Sequence, residues 1–181
     1  GKELFSQYHE RVPFVKALSE RAIRRAADQG NIRTLLGRRC RFDKWEPSQF
    51  GTRKIMDHKT AYAEHGNAIK RAFTHKAMNR LIQGSAADMT KKAMQLLFEE
   101  GIIPHIQVHD ELDFSVESEE QAVKIKEIME HCVEIKVPVK VDVELGPNWG
   151  EAKDASKVIA HAESVRGWTR GSESDYTKQA V

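Results

Sequence analysis

Cysteine is scarce in this chain. Only Cys40 and Cys132 occur among 181 residues, far apart and in no metal-ligand spacing. That argues against a disulfide-stapled secreted scaffold and fits a reduced intracellular protein. Long apolar runs are missing too: none approaches the roughly 18 residues that a membrane-spanning helix requires, so no membrane partner is expected. The opening residues, Gly1-Lys2-Glu3-Leu4-Phe5, are no signal peptide, and the missing initiator methionine suggests a processed or trimmed chain. Neither sign of charge dominates. Lys and Arg number 29 against 27 Asp and Glu, a net +2 that by itself indicates no polyanionic partner. Internal repeats are absent. What remains, 40% hydrophobic and 31% charged, is ordinary for a folded globular protein with one real core or one and a half small ones.

Taken in order, residues 2 to 11 read as the end of a helix with Leu4, Phe5 and Tyr8 on one side. Pro13 suits the first turn of a second helix. Phe14, Val15, Leu18, Ile23 and Ala27 recur there at helical spacing, and Gly30 is placed to stop it. A small hairpin follows, with residues 32–35 and 39–42 flanking Leu36-Gly37-Arg38. Arg33, Arg38, Arg39 and Arg41 crowd this ribbon, and such a density of guanidinium groups suits charge-assisted phosphate contacts. Residues 43 to 58 show no period and read as loop. From about Thr60 to Leu81 a helical pattern resumes, which would align Arg71, His75, Asn79 and Gln83 on one polar stripe. Amides at Asn79 and Gln83 can donate to minor-groove acceptors without distinguishing the bases. Gly84 reads as a break, with Ser85 and Asp88 as a capping box restarting the helix. Its buried face would be Ala86, Met89, Ala93, Leu96 and Leu97.

The stretch around which these pieces are arranged is residues 105–116. Ile106 and Val108 alternate with His105, Gln107 and His109; Leu112, Phe114 and Val116 alternate with Asp113 and Ser115. Two period-2 runs with a short polar junction read as a tight antiparallel hairpin. The junction, His109-Asp110-Glu111, lacks the glycine that makes such turns easy. A tip holding two adjacent carboxylates and an imidazole is either a solvated acidic turn or a place for a hard divalent cation. Ser118 and Gln121 then cap a helix whose stripe is Ala122, Ile125, Ile128, Met129 and Cys132. Val139, Val141, Val143 and Leu145 alternate with charged residues as a half-buried strand. The expected fold is α+β, an antiparallel sheet with a central hairpin and helices on one face, preceded by a helical segment. Three regions are expected: 1–100, a helical segment with the arginine-rich hairpin; 101–153, the hairpin-helix-strand unit; and 154–181, a polar, mobile tail with a short helix possible over Ala155 to Val165.

The order and wording of four stretches resemble the C-terminal part of family A DNA polymerases, the polymerase I type. They are residues 30–39 (Gly-Asn-Ile-Arg-Thr-Leu-Leu-Gly-Arg-Arg), 79–88 (Asn-Arg-Leu-Ile-Gln-Gly-Ser-Ala-Ala-Asp), 107–112 (Gln-Val-His-Asp-Glu-Leu) and 146–149 (Gly-Pro-Asn-Trp). The resemblance covers roughly residues 2 to 153, the end of the fingers and the palm, and the last stretch looks phage-like. It implies that Asp110 is a magnesium ligand with Glu111 close to the site, both in the catalytic centre. His109 would touch the primer near its 3′ end. Asn79, Gln83, Arg80 and His75 would lie along the minor groove of the new base pairs, and Arg38 and Arg39 near the duplex.

The family's first catalytic aspartate belongs to an Asp-Tyr-Ser-type motif, and nothing before residue 100 matches it. The fingers helix that holds the incoming nucleotide is likewise unmatched. The resemblance therefore implies a split or fragmentary polymerase, inactive alone. Its two-ion Mg2+ site would be completed by a carboxylate from another chain, and its partners would be primer-template DNA and a second polypeptide. The expected location is the cytoplasm of a bacterium or phage-infected cell. The alternative is a non-catalytic DNA-binding module derived from a polymerase palm.

Overall fold

The computed structural model describes residues 1–49, 51 and 54–165. The part of the expected tail from 166 onward lies outside them. Among the described residues the fold is α+β, with helices α1 (Lys2–Arg11), α2 (Pro13–Gln29), α3 (His58–His65), α4 (Ala77–Glu99), α5 (Glu119–His131) and α6 (Ser156–Val165). The strands are β1 (Asn31–Arg33), β2 (Arg39–Arg41), β3 (Trp45–Pro47), β4 (Ile69–Arg71), β5 (Ile106–Val108), β6 (Glu111–Asp113), β7 (Glu144–Leu145) and β8 (Lys153–Asp154). In place of one antiparallel sheet they form four two-stranded antiparallel ribbons, β1–β2, β3–β4, β5–β6 and β7–β8. With two or three residues each, these strands offer few ladder bonds, and ribbons this short depend on packing against helices.

The chain divides into two compact units, Gly1–Asp88 and Met89–Val181, the division falling within α4. In the first, Pro13 opens α2 and Gly30, in the left-handed region at φ 68°, closes it. The core gathers Ala22, Ala26, Ile32, Phe42 and Ala77. The buried stripe of α2 is thus set by Ala22 and Ala26, while Phe14 and Ala27, expected on the apolar side, are exposed. Two small alanines let β1 and the 3-10 turn Thr74–Lys76 approach the helix closely.

The segment read as one helix over 60 to 81 breaks into several elements. Asp57 caps α3 by accepting from the Thr60 N–H, and Gly66 at φ 57° ends it. The chain then pairs back as β4 on β3, inside the stretch read as loop, with Pro47 opposite Ile69 and Met56 bridging Trp45. Arg71 fixes this crossing. Its guanidinium donates to the Ala27 and Phe42 carbonyls at 3.2 and 2.9 Å and stacks 4.6 Å from the Trp45 ring. It also fills the space where a Cβ on Gly30 would sit, 2.6 Å away. Arg71 is therefore not part of a surface stripe.

No break occurs at Gly84: α4 runs through it. Ser85 donates to the Leu81 carbonyl of the same helix and accepts from the Leu35 N–H, so it is not a cap. On α4 the buried positions are Ala77, Asp88, Thr90, Ala93 and Leu97, while Ala86 is exposed. In the second unit, Ser118 caps α5 as expected, accepting from the Gln121 N–H, while the Gln121 side chain takes the Glu117 N–H. Ala122 and Val123 of α5 pack with Ala155, Ile159 and Ala162, so α6 contributes to this core. The strand expected over 139 to 145 is formed only at β7. The Val141 N–H donates to the Glu130 carboxylate at 2.9 Å, and the short β8 faces only Glu144 and Leu145.

Candidate metal and nucleic-acid site

In the second unit, β5 and β6 form the expected hairpin, with Ile106 opposite Asp113, Gln107 opposite Leu112 and Val108 opposite Glu111. The loop is therefore two residues, His109 and Asp110, and not the three of the sequence reading. That single residue matters. A three-residue junction would set Val108 opposite Leu112 and gather every apolar residue on one face. The observed register puts Ile106 and Val108 on the face of Glu111 and Asp113, with Leu112 and Gln107 on the other. Ile106 and Val108 are accordingly exposed.

His109 adopts φ 55°, at the first central position of the loop, where glycine is the usual residue. A side chain there costs about 1–2 kcal/mol. The turn is held by the Gln107 amide donating to the His109 carbonyl at 3.0 Å, and the ladder is extended by the His105 N–H donating to the Asp113 carbonyl at 2.8 Å. His109, Asp110 and Glu111 all face solvent. Among the described residues neither Asp110 nor Glu111 has a hydrogen-bond or ion-pair partner, and one Asp113 carboxylate oxygen is buried without one. No group of three or more His, Cys, Asp or Glu is arranged to hold a metal ion among the described residues. Magnesium uses one or two carboxylates and keeps several waters. Asp110 with Glu111 beside it fits part of such a ligand set.

In the first unit the nucleic-acid candidates separate by what their side chains already do. Asn79 and Gln83, four apart on α4, are exposed on one helical face, and His75 is exposed on the preceding 3-10 turn. Arg80 is engaged internally: it stacks 4.7 Å from the Phe42 ring and donates to the Arg41 carbonyl at 3.3 Å. Arg38 is engaged too, donating from Nε to Asp88 at 2.5 Å and from Nη2 to the Gly84 carbonyl at 2.9 Å. Asp88 is 5% exposed and also accepts from the Thr34 hydroxyl. The residue read as a helix cap is thus the buried anchor of the β1–β2 loop. Its partners lie 50 and 54 positions away, where no local pattern could show them. Arg39 is exposed, with no such anchor among the described residues.

The model of DNA polymerase family A matches residues 1–151. This chain belongs to DNA polymerase family A. It is 40% identical over 152 residues to a DNA-directed DNA polymerase of Pseudomonas phage M6, covering 84% of this chain and 20% of that protein. DNA polymerase I of Bacillus subtilis (strain 168) is 36% identical over 156 residues, covering 81% of this chain and 16% of the relative. Among solved structures, the POL domain of Pol1 from M. smegmatis, in complex with DNA primer-template and dNTP, superposes with a TM-score of 0.54 at 28% identity. The match covers 77% of this chain and 23% of that one. The chain thus spans about a fifth or less of the length of these curated relatives. Among the described residues, no helix is long and apolar enough to cross a membrane.

Proposed function

We propose that this chain is the C-terminal portion of a DNA-directed DNA polymerase, acting in the cytoplasm of a bacterium or phage-infected cell. The observation that carries the reading is the hairpin tip, two adjacent carboxylates without partners among the described residues on a turn strained at His109, within a chain of family A. Asp110 would ligate magnesium, with Glu111 beside it. When bound, the metal ions would lower the pKa of the primer 3′-hydroxyl and neutralise charge on the transferring phosphoryl group. His109 orients the primer end. Asn79 and Gln83 donate to minor-groove acceptors of the nascent pairs, checking shape without reading sequence, and His75 extends that contact. Arg38 and Arg80 act through position: the first holds the β1–β2 loop on α4, the second holds β2.

The other metal-binding carboxylate and the nucleotide-binding helix would come from a partner segment of the polymerase, and these residues alone would be inactive. Leu4, Phe5, Tyr8 and Phe14, all exposed on α1 and α2, are consistent with a surface that such a partner covers. The test is primer extension with magnesium by the assembly that copurifies with the chain. Asp110→Ala should abolish extension and leave duplex binding nearly unchanged. Extension that survives the substitution would overturn the catalytic reading and leave a DNA-binding module derived from a palm.

A further inference from the structure

The first unit carries 18 Lys and Arg against 9 Asp and Glu, and the second 11 against 18, so a near-neutral chain is a +9 unit joined to a −7 unit. Within the −7 unit, the last turn of α4 and the second half of α5 enclose a cleft of about 360 Å³. Its lining is Leu96, Glu99, Glu100, Glu127, Ile128 and His131. Half-buried Leu96 and Ile128 give it an apolar floor, and Glu99 and Glu100 stand exposed at its rim.

The charge of this cleft runs against helix stability. α4 ends at Glu99 and α5 at His131, so both helices reach it with their C-terminal, partly negative ends. Such ends favour cations, yet Glu99 closes α4, whose last turn holds no basic residue, and Glu100 follows directly. Lys124 answers one of the three carboxylates, meeting Glu100 at 2.7 Å. Among the described residues Glu99 has only the neutral Gln95 amide, at 2.9 Å, and the half-buried Glu127 carboxylate has no hydrogen-bond or ion-pair partner. His131 turns its Nδ1 to the Glu127 carbonyl at 2.9 Å and not to a carboxylate. Two carboxylates beside an apolar floor are left without a cation.

We propose that the α4–α5 cleft is a docking site for a basic amphipathic helix of a partner protein, anchored by an arginine side chain. Arginine suits both parts of the lining: its methylenes lie on Leu96 and Ile128 while the guanidinium fork meets Glu99 and Glu127. An arginine desolvated in a pocket and held by carboxylates is a contact of the kind that dominates interfaces. Apolar and basic residues one turn further along the same helix extend the contact over the rim. The same charge excludes other occupants. Nucleic acid and anionic lipid are repelled, and among the described residues no His, Cys, Asp or Glu group is arranged to hold a metal ion. None of the lining residues belongs to the hairpin tip, so the assignment is independent of the polymerase reading.

The test titrates the full chain into a fluorescein-labelled, alanine-based helical peptide carrying Leu and Arg at four-residue spacing, read by anisotropy. Glu99→Gln with Glu127→Gln should weaken binding at least about tenfold, as should replacing the arginines of the peptide by glutamine. Both changes together should cost far less than their sum, since they remove the same contact. The Gln variant should melt no lower than the parent, because it removes negative charge from two helix C-termini, and that separates lost contact from lost fold. Asp142→Asn with Glu144→Gln removes equal charge from exposed positions of the same unit and should change affinity less than about twofold. If this control matches the loss, diffuse attraction to the −7 unit binds the peptide, and the proposal fails. Additive losses also overturn it, because the peptide then sits elsewhere. If Glu99→Gln with Glu127→Gln instead abolishes self-association of the chain alone in sedimentation velocity, the occupant is a second copy and not a partner protein.

Discussion

Thr34, Arg38 and Gly84 meet at one point, and their sizes are interlocked. A Cβ on Gly84 would stand 2.9 Å from the Thr34 methyl and 3.4 Å from the Arg38 guanidinium, while Thr34 and Arg38 are both held by Asp88. In an ordinary helix interior, Gly→Ala stabilises by about 1 kcal/mol. Here the neighbour is a bonded side chain that cannot step aside, so overpacking of about 1–3 kcal/mol should dominate. Gly84→Ala is expected to lower the midpoint of chemical unfolding, and a raised midpoint would show the loop to be mobile. His109 gives the opposite sign. Replacing it by glycine relieves a left-handed side-chain conformation, partly offset by unfolded-state entropy, for a net gain of up to about 1 kcal/mol. The His109→Gly variant should therefore melt higher while losing primer extension in the assembled enzyme. A variant that neither gains stability nor loses extension would remove the case for strain kept for chemistry.

Elements with local cues were legible and those decided by distant partners were not. Pro13, Gly30 and Ser118 mark helix ends by chemistry confined to a few residues, and each marks an end here. Gly66 ends a helix as well, inside a stretch where the spacing of Arg71, His75, Asn79 and Gln83 suggested one continuous helix. The β5–β6 hairpin was visible from alternation, yet its loop length was not, because alternation alone does not count the residues left out of the ladder. At 139–145 the pattern was real, but among the described residues no strand pairs with it along most of its length. The Val141 N–H instead donates to Glu130, which also pairs with Lys126 at 3.0 Å in a largely buried setting. Glu130→Ala should cost about 1–3 kcal/mol by stranding a partly buried N–H, seen as a lower unfolding midpoint. At α3 the same kind of local bond titrates. The Thr60 hydroxyl and N–H hold the Asp57 carboxyl below its ordinary 3.8. Its contribution is full above that pH and is lost as pH falls through the lower folded value. Asp57→Asn should flatten that acid dependence of helicity, and an unaltered profile would assign it to other carboxylates.

At the scale of the whole molecule, two surfaces could drive copies of the chain together, and they respond to salt in opposite ways. The units carry opposite net charge, +9 and −7, which favours association that salt screens. The helices α1 and α2 expose Leu4 at 71%, Phe5 at 66% and Phe14 at 69%. That apolar surface favours association that salting-out anions such as sulfate strengthen. If a second polypeptide normally covers these helices, the apolar route should dominate in the isolated chain. Sedimentation velocity should then show concentration-dependent self-association that persists or grows on adding sodium sulfate. Leu4→Glu, Phe5→Glu and Phe14→Glu together should return the chain to a monomer. Since all three side chains already stand in water, the unfolding free energy should change little, within about 0.5 kcal/mol per site. Association abolished by salt and untouched by the three substitutions would place the attraction between the charged units. The helices would then be an ordinary solvated surface, and the requirement for a covering partner would lose its structural support.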